Sequence, residues 1–172
     1  MIRILDKIPL EKRNMVAEVT VDMAGSMNLI AKKCFPKTEI VTDRFHVQKL
    51  ASEAVQEERI RLRWEVIELD NTAIQKARED GKTYKAELLD NGDTHKQLLA
   101  RSRYILFKPK TKWTKRQIER AEILFKRYPS IEKAYNLAQA LSHIFENNTN
   151  KDVARLKLAQ WYHKVEKSQF KS

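Results

Sequence analysis

Cysteine is all but absent from this chain. Cys34 stands alone among 172 residues, which excludes an internal disulfide and a thiolate zinc site. Met27, Ile30 and Ala31 fall on its side of a helix, so it reads as a buried structural thiol. Glycine and proline are scarce, at three and four, too few for the turns of a sandwich or barrel. With 42% apolar residues, the chain is also too hydrophobic for a disordered tail. No apolar run approaches the ~18 residues of a membrane span. Met1-Ile2-Arg3-Ile4, soon interrupted by Asp6 and Lys7, is too brief for a secretory signal. A reducing, cytoplasmic setting is expected, with no membrane and no small-molecule cofactor. His95, His143 and His163 share no metal spacing, and Ser26 has no visible histidine base. Nucleophilic serine chemistry therefore has no support.

What the chain has is positive charge, and it is local. The formal net charge is +11, an excess that favours an anionic partner. Residues 45–90 hold 8 basic and 10 acidic side chains, a net of −2. Residues 95–127 hold 11 basic residues against Glu119 and Glu122 alone, a net of +9. Within that stretch Arg101, Arg103, Lys108, Lys110, Lys112, Lys115 and Arg116 interleave with Tyr104, Phe107 and Trp113. Such a surface can neutralise phosphates and stack on bases or sugars, so these seven cations are the candidate DNA contacts. The spacing of Tyr104 and Phe107 suits a core-facing pair. No segment has the form of a sequence-reading helix.

Residues 1–16 pattern as an amphipathic helix interrupted near Pro9. Glu18-Val19-Thr20-Val21 alternates as a strand that ends at Asp22, residues 25–35 form a helix closed by Pro36, and residues 39–42 form a second strand ending at Asp43. A strand, helix, strand order this short implies parallel strands with a right-handed crossover. Both acids then leave one edge, at the carboxyl ends of the strands, where carboxylates can gather around a hard metal ion. Asp22 taken alone also fits a turn or a helix cap. A long helix follows from about Phe45 to Arg78, with Val47, Leu50, Ala54, Ile60, Trp64, Ile67 and Ala73 near one stripe. Trp64 and Trp161 read as helix core. Asp80-Gly81 and Asn91-Gly92-Asp93 are turns, and Asp93 or Thr94 caps a helix that Lys108-Pro109-Lys110 breaks. Thr114 caps the next, which runs to Tyr128. Ser130 starts another, through Phe145. A last helix spans Lys151 to about Glu166, after a polar loop at 147–150. The fold class is α+β, mostly α. Two strands cannot make a free-standing sheet, so the expectation is the middle of a larger protein.

Val21-Asp22-Met23-Ala24, Cys34-Phe35-Pro36 and the run Val41-Thr42-Asp43-Arg44-Phe45-His46-Val47-Gln48-Lys49-Leu50 closely resemble the DDE transposases of bacterial insertion sequences, in their ISL-type branch. Residues 97–104, 133–137 and 157–162 agree as well, so the resemblance covers nearly the whole chain. It implies a ribonuclease H-like catalytic core whose fifth strand is followed by a helical insertion. On that alignment residues 1–44 are part of the core and residues 45–172 the insertion. Asp22 matches the second catalytic Asp, on the fourth strand. Asp43 and His46 end the fifth. The family's first Asp and its final Glu have no counterpart here, so an internal fragment, itself inactive, is expected.

The resemblance implies DNA transposition and recombination: Mg²⁺-dependent cutting and rejoining of transposon DNA by the parent protein. Oxygen ligands suit Mg²⁺, and two ions about 3.5–4 Å apart would serve in-line attack on phosphorus. Asp22 is the expected metal ligand. Asp43 is its rival, or positions Arg44 or His46, and His46 can orient a phosphate or carboxylate. Two other readings fit the residues. One is a non-enzymatic basic helical module that binds nucleic acid. The other is a dimerisation element, giving a homodimer, built on the long helix.

Overall fold

A computed structural model of the protein describes residues 1–168 and 170. They fall into two units, residues 1–49 and 50–172.

In the first unit Pro9 separates two short helices, α1 (Ile2–Leu5) and α2 (Leu10–Asn14). Arg13 holds this segment in place. Its Nε donates to Ile8 O at 3.0 Å, while Nη1 reaches Asp6 Oδ1 at 3.2 Å and Cys34 O at 2.9 Å. The strand β1 (Glu18–Val21) leads through α3 (Gly25–Cys34) to β2 (Glu39–Thr42). Ala31 and Cys34, one turn apart, are the buried residues of α3, as the spacing requires. The two strands pair in parallel, with Glu18 opposite Glu39 and Val21 opposite Thr42. The described residues are thus mostly helical with one small parallel sheet.

Residues 50–79 of α4 (Arg44–Glu79) belong to the second unit. The expected stripe is rotated. Leu50, Ile60 and Trp64 are exposed, Val55, Gln56 and Arg59 are buried, and Ala51, Leu62 and Val66 pack against the core. The apolar side chains of α4 run most of the way round it, so packing partners, not periodicity, select the seated face. Trp161 is half-buried, and its Nε1 donates to Leu137 O at 2.8 Å.

Thr94 caps α5 (His95–Arg101) with a capping box completed by Gln97. The helix stops well before the expected break at Lys108-Pro109-Lys110. Ser102 Oγ donates to Leu98 O at 2.7 Å, and two side chains of α4 donate to carbonyls of this stretch: Arg59 to Leu99 O at 3.0 Å, Gln56 to Arg103 O at 3.1 Å. The chain then turns into a 3₁₀ segment at Ile105–Phe107. That turn buries Ile105 and Leu106 and leaves Tyr104 69% and Phe107 46% exposed, the reverse of the core role their spacing suggested.

A second capping box, Thr114 with Gln117, starts α6 (Lys115–Arg127). The helix α7 (Pro129–Glu146) begins at Pro129, one residue before Ser130. Proline is tolerated there because its missing N–H has no partner in a first turn. Its buried residues Ile131, Tyr135, Ala138, Leu141 and Ile144 recur at helical spacing. Asn150 accepts from the main-chain N–H groups of Asp152 and Val153 to cap α8 (Lys151–Glu166). At the centre Trp113, Phe125 and Tyr135 pack as a ring cluster, with centroids 5.5–6.2 Å apart, beside Leu98, Leu124 and Ile131.

Candidate active site and basic surface

Asp22 and Asp43 directly follow the last paired residues of β1 and β2, Val21 and Thr42. Asp43 N–H donates to Val21 O at 2.8 Å, which carries the pairing one residue past the strands. Both acids therefore leave the carboxyl edge of the sheet side by side. Both are half-buried. Each makes the same local bond: Asp22 Oδ1 accepts from Ala24 N–H at 2.9 Å, and Asp43 Oδ1 from Phe45 N–H at 2.9 Å. These are Asx turns, which start α3 and α4. Asp43 Oδ2 lies 3.8 Å from His46 Nε2, so the second oxygen of Asp43 faces the imidazole. The Arg44 guanidinium sits 5.3 Å from the centroid of the Phe45 ring.

Oxygen donors of this kind suit a hard cation such as Mg²⁺. Among the described residues, however, no three His, Cys, Asp or Glu side chains gather as a metal site. Asp22 and Asp43 would fill part of one coordination sphere, and fewer positions than two ions require.

The seven cations read from the basic stretch are all exposed, but their surroundings differ. Arg101 is bonded to the buried carboxylate of Asp93. Lys110 Nζ lies 5.5 Å from the Phe125 ring centroid and 5.9 Å from that of Tyr135. The Arg103 guanidinium lies 5.6 Å from the Tyr104 centroid. Lys108, Lys112, Lys115 and Arg116 have no carboxylate partner among the described residues, which leaves them the most available for an outside anion.

Beside them lies an open cleft of about 710 Å³, lined by Lys110 and Lys112 and by Asn136, Gln139, Ser142 and His143 of α7. These α7 residues recur at helical spacing away from the apolar stripe. That spacing is visible in the sequence, but charge does not mark it, because these side chains are neutral or weakly basic.

Comparison with curated proteins and with solved structures finds no match. A family model described as transposase, of the ISL3 DDE type, matches residues 1–172. The chain belongs to the ISL3-type DDE transposase family.

Proposed function

We propose that this chain carries one corner of a ribonuclease H-like transposase core, residues 1–44, followed by a helical insertion, residues 45–172, and that its partner is DNA. The observation that carries the reading is the parallel pairing of β1 with β2, with Asp22 and Asp43 at the same edge. Asp22 would hold Mg²⁺, and Asp43 would either share that role or keep His46 oriented. Mg²⁺, when bound, supplies charge stabilisation at the phosphate during phosphodiester cleavage and rejoining. The protein's share is to fix the carboxylates beside the sheet edge and to hold the DNA backbone on the cations of residues 95–127.

Manganese binding followed by electron paramagnetic resonance tests the site. Asp22→Asn should weaken Mn²⁺ binding by at least about tenfold, since loss of an outer-shell partner alone commonly costs that much. Asp43→Asn should have a smaller effect. Equal binding by wild type and Asp22→Asn would remove Asp22 from the metal. Plasmid DNA mixed with this chain and Mg²⁺ should stay supercoiled, because two carboxylates hold too few positions on two ions. A Mg²⁺-dependent nick abolished by Asp22→Ala would show the set to be sufficient. The same shortfall of carboxylates favours a second reading, a non-enzymatic nucleic-acid-binding module, which predicts no effect of Asp22→Asn on Mn²⁺.

Both readings require a polyanion on the basic surface. Replacing Lys108, Lys112, Lys115 and Arg116 together with Gln should flatten the dependence of log affinity on log salt by roughly 2–4 units, at about 0.9 for each phosphate no longer neutralised. Fluorescence anisotropy of a labelled duplex across a salt series measures this. An unchanged slope would assign these cations to solubility alone.

A further inference from the structure

Gln56, Arg59 and Arg63 stand three and four residues apart on α4 and so share one face. Arg59 is only 6% exposed. Its Nε donates to Gln56 Oε1 at 2.8 Å and its Nη1 to Leu99 O at 3.0 Å. Both acceptors are neutral, and a guanidinium has five N–H groups to satisfy. Gln56 in turn donates to Arg103 O at 3.1 Å, which ties Arg103 to the same face. Arg63 Nε is buried with no hydrogen-bond partner. No carboxylate pairs with Arg59, Arg63 or Arg103 among the described residues.

The chain neutralises guanidinium groups elsewhere. Arg61, on another face of α4, is held by Glu58 and Glu65, and Arg101 and Arg120 share Asp93. Arg59 and Arg63 lack such a partner although neither is exposed, unlike the exposed Arg103 and Arg116, which also lack one among the described residues. Burial, then the positive charges of Arg103 and Arg63, lower the pKa of Arg59 from its ordinary value. The Leu99 carbonyl, in the last turn of α5, and the Gln56 side chain hold Arg59 in position. A phosphate oxygen pair matches the planar fork of a guanidinium, and an exposed tyrosine ring, Tyr104, lies beside Arg103.

We propose that Arg59 and Arg63 on α4 and Arg103 in the turn after α5 form a notch that grips a backbone phosphate of bound DNA. The notch uses two residues of α4, a helix outside the basic stretch, and its assignment to DNA rests on the function proposed above.

The test is the double variant Arg63→Gln with Arg103→Gln. It leaves the Arg59 bonds intact, because Gln56 binds the main chain of Arg103 and not its side chain. Two probes separate the notch from its ligand. In thermal unfolding at constant ionic strength, replacing chloride with inorganic phosphate should raise the midpoint of wild type by about 2 °C more than that of the variant. In anisotropy with a labelled duplex, the variant should bind about tenfold more weakly, with a salt slope flatter by up to about 0.9 for the one phosphate the notch holds. Equal phosphate responses would overturn the notch whatever the duplex does. A differential phosphate response with unchanged duplex affinity would keep the phosphate site and overturn its assignment to DNA. Failure of wild type to bind duplex at all would instead overturn the proposed DNA partner.

Discussion

Asp93→Ala is expected to destabilise the helical unit by about 3–5 kcal/mol, the usual cost of removing one partner from a buried ion pair. Asp93 is 2% exposed. Its carboxylate takes Arg101 at Oδ1, while Arg120 Nε stands 3.5 Å and Asn91 Nδ2 3.1 Å from Oδ2. The main chain of Asp93 is committed too: its carbonyl accepts from Leu89 N–H at 2.9 Å, and its N–H donates to Asn91 Oδ1 at 3.2 Å. These bonds close the loop around Gly92, whose φ of +76° suits glycine, and set up the Thr94 cap of α5. The Arg101 side chain is 55% exposed and can return to water, which places the expected loss toward the lower end. Asp93→Asn keeps the shape and should lose less than Asp93→Ala. Urea unfolding followed by circular dichroism reads both. A loss under about 1 kcal/mol for Asp93→Ala would mean that desolvating the carboxylate already offsets what the arginines contribute.

Tyr135→Ala should cost about 3–5 kcal/mol, in the range of large aromatic truncations. Tyr135 is fully buried and its ring contacts Trp113 and Phe125. Tyr135→Phe separates the ring from the hydroxyl. That hydroxyl donates to Lys108 O at 2.7 Å, so its removal orphans a carbonyl at a cost of about 1–3 kcal/mol. The phenol also reports on its surroundings. Burial pushes Tyr135, and likewise Tyr128, up to about 12. A raised folded-state pKa stabilises the fold fully below the ordinary tyrosine value near 10, and that stability is lost as pH climbs through about 12. Ultraviolet titration should show late-ionising phenols, with one fewer in Tyr135→Phe. An unchanged titration would contradict the burial assigned to Tyr135.

The elements that sequence pattern identified well are those governed by local rules. Thr94 and Thr114 carry the capping signal in their own side chains, and β1, α3 and β2 follow from short runs bounded by Asp22, Pro36 and Asp43. The seated face of α4 was not legible, because its apolar residues point several ways and the core selects among them. The end of α5 was hidden for a related reason. Nothing near Arg101 breaks a helix, and it stops where Gln56 and Arg59, 40 or more residues earlier, bond to the carbonyls. Charge counting located the basic surface but gave Arg101 and Lys112 equal standing. Only the buried Asp93, invisible as buried in a sequence, separates the two.

The paired turns at Asp22 and Asp43 constrain which acid can stand at each position. A side-chain oxygen must reach the N–H two residues on, and the aspartate stem has the length for that ring. Glutamate, one methylene longer, would carry the same charge with its carboxylate released from the turn and free to rotate. Both carboxylates are therefore aimed by the backbone, and little rotational freedom would remain to be lost if either took a ligand. Asparagine keeps the turn and discards the charge, so the Asp→Asn and Asp→Glu variants divide the contribution of each residue into charge and aim.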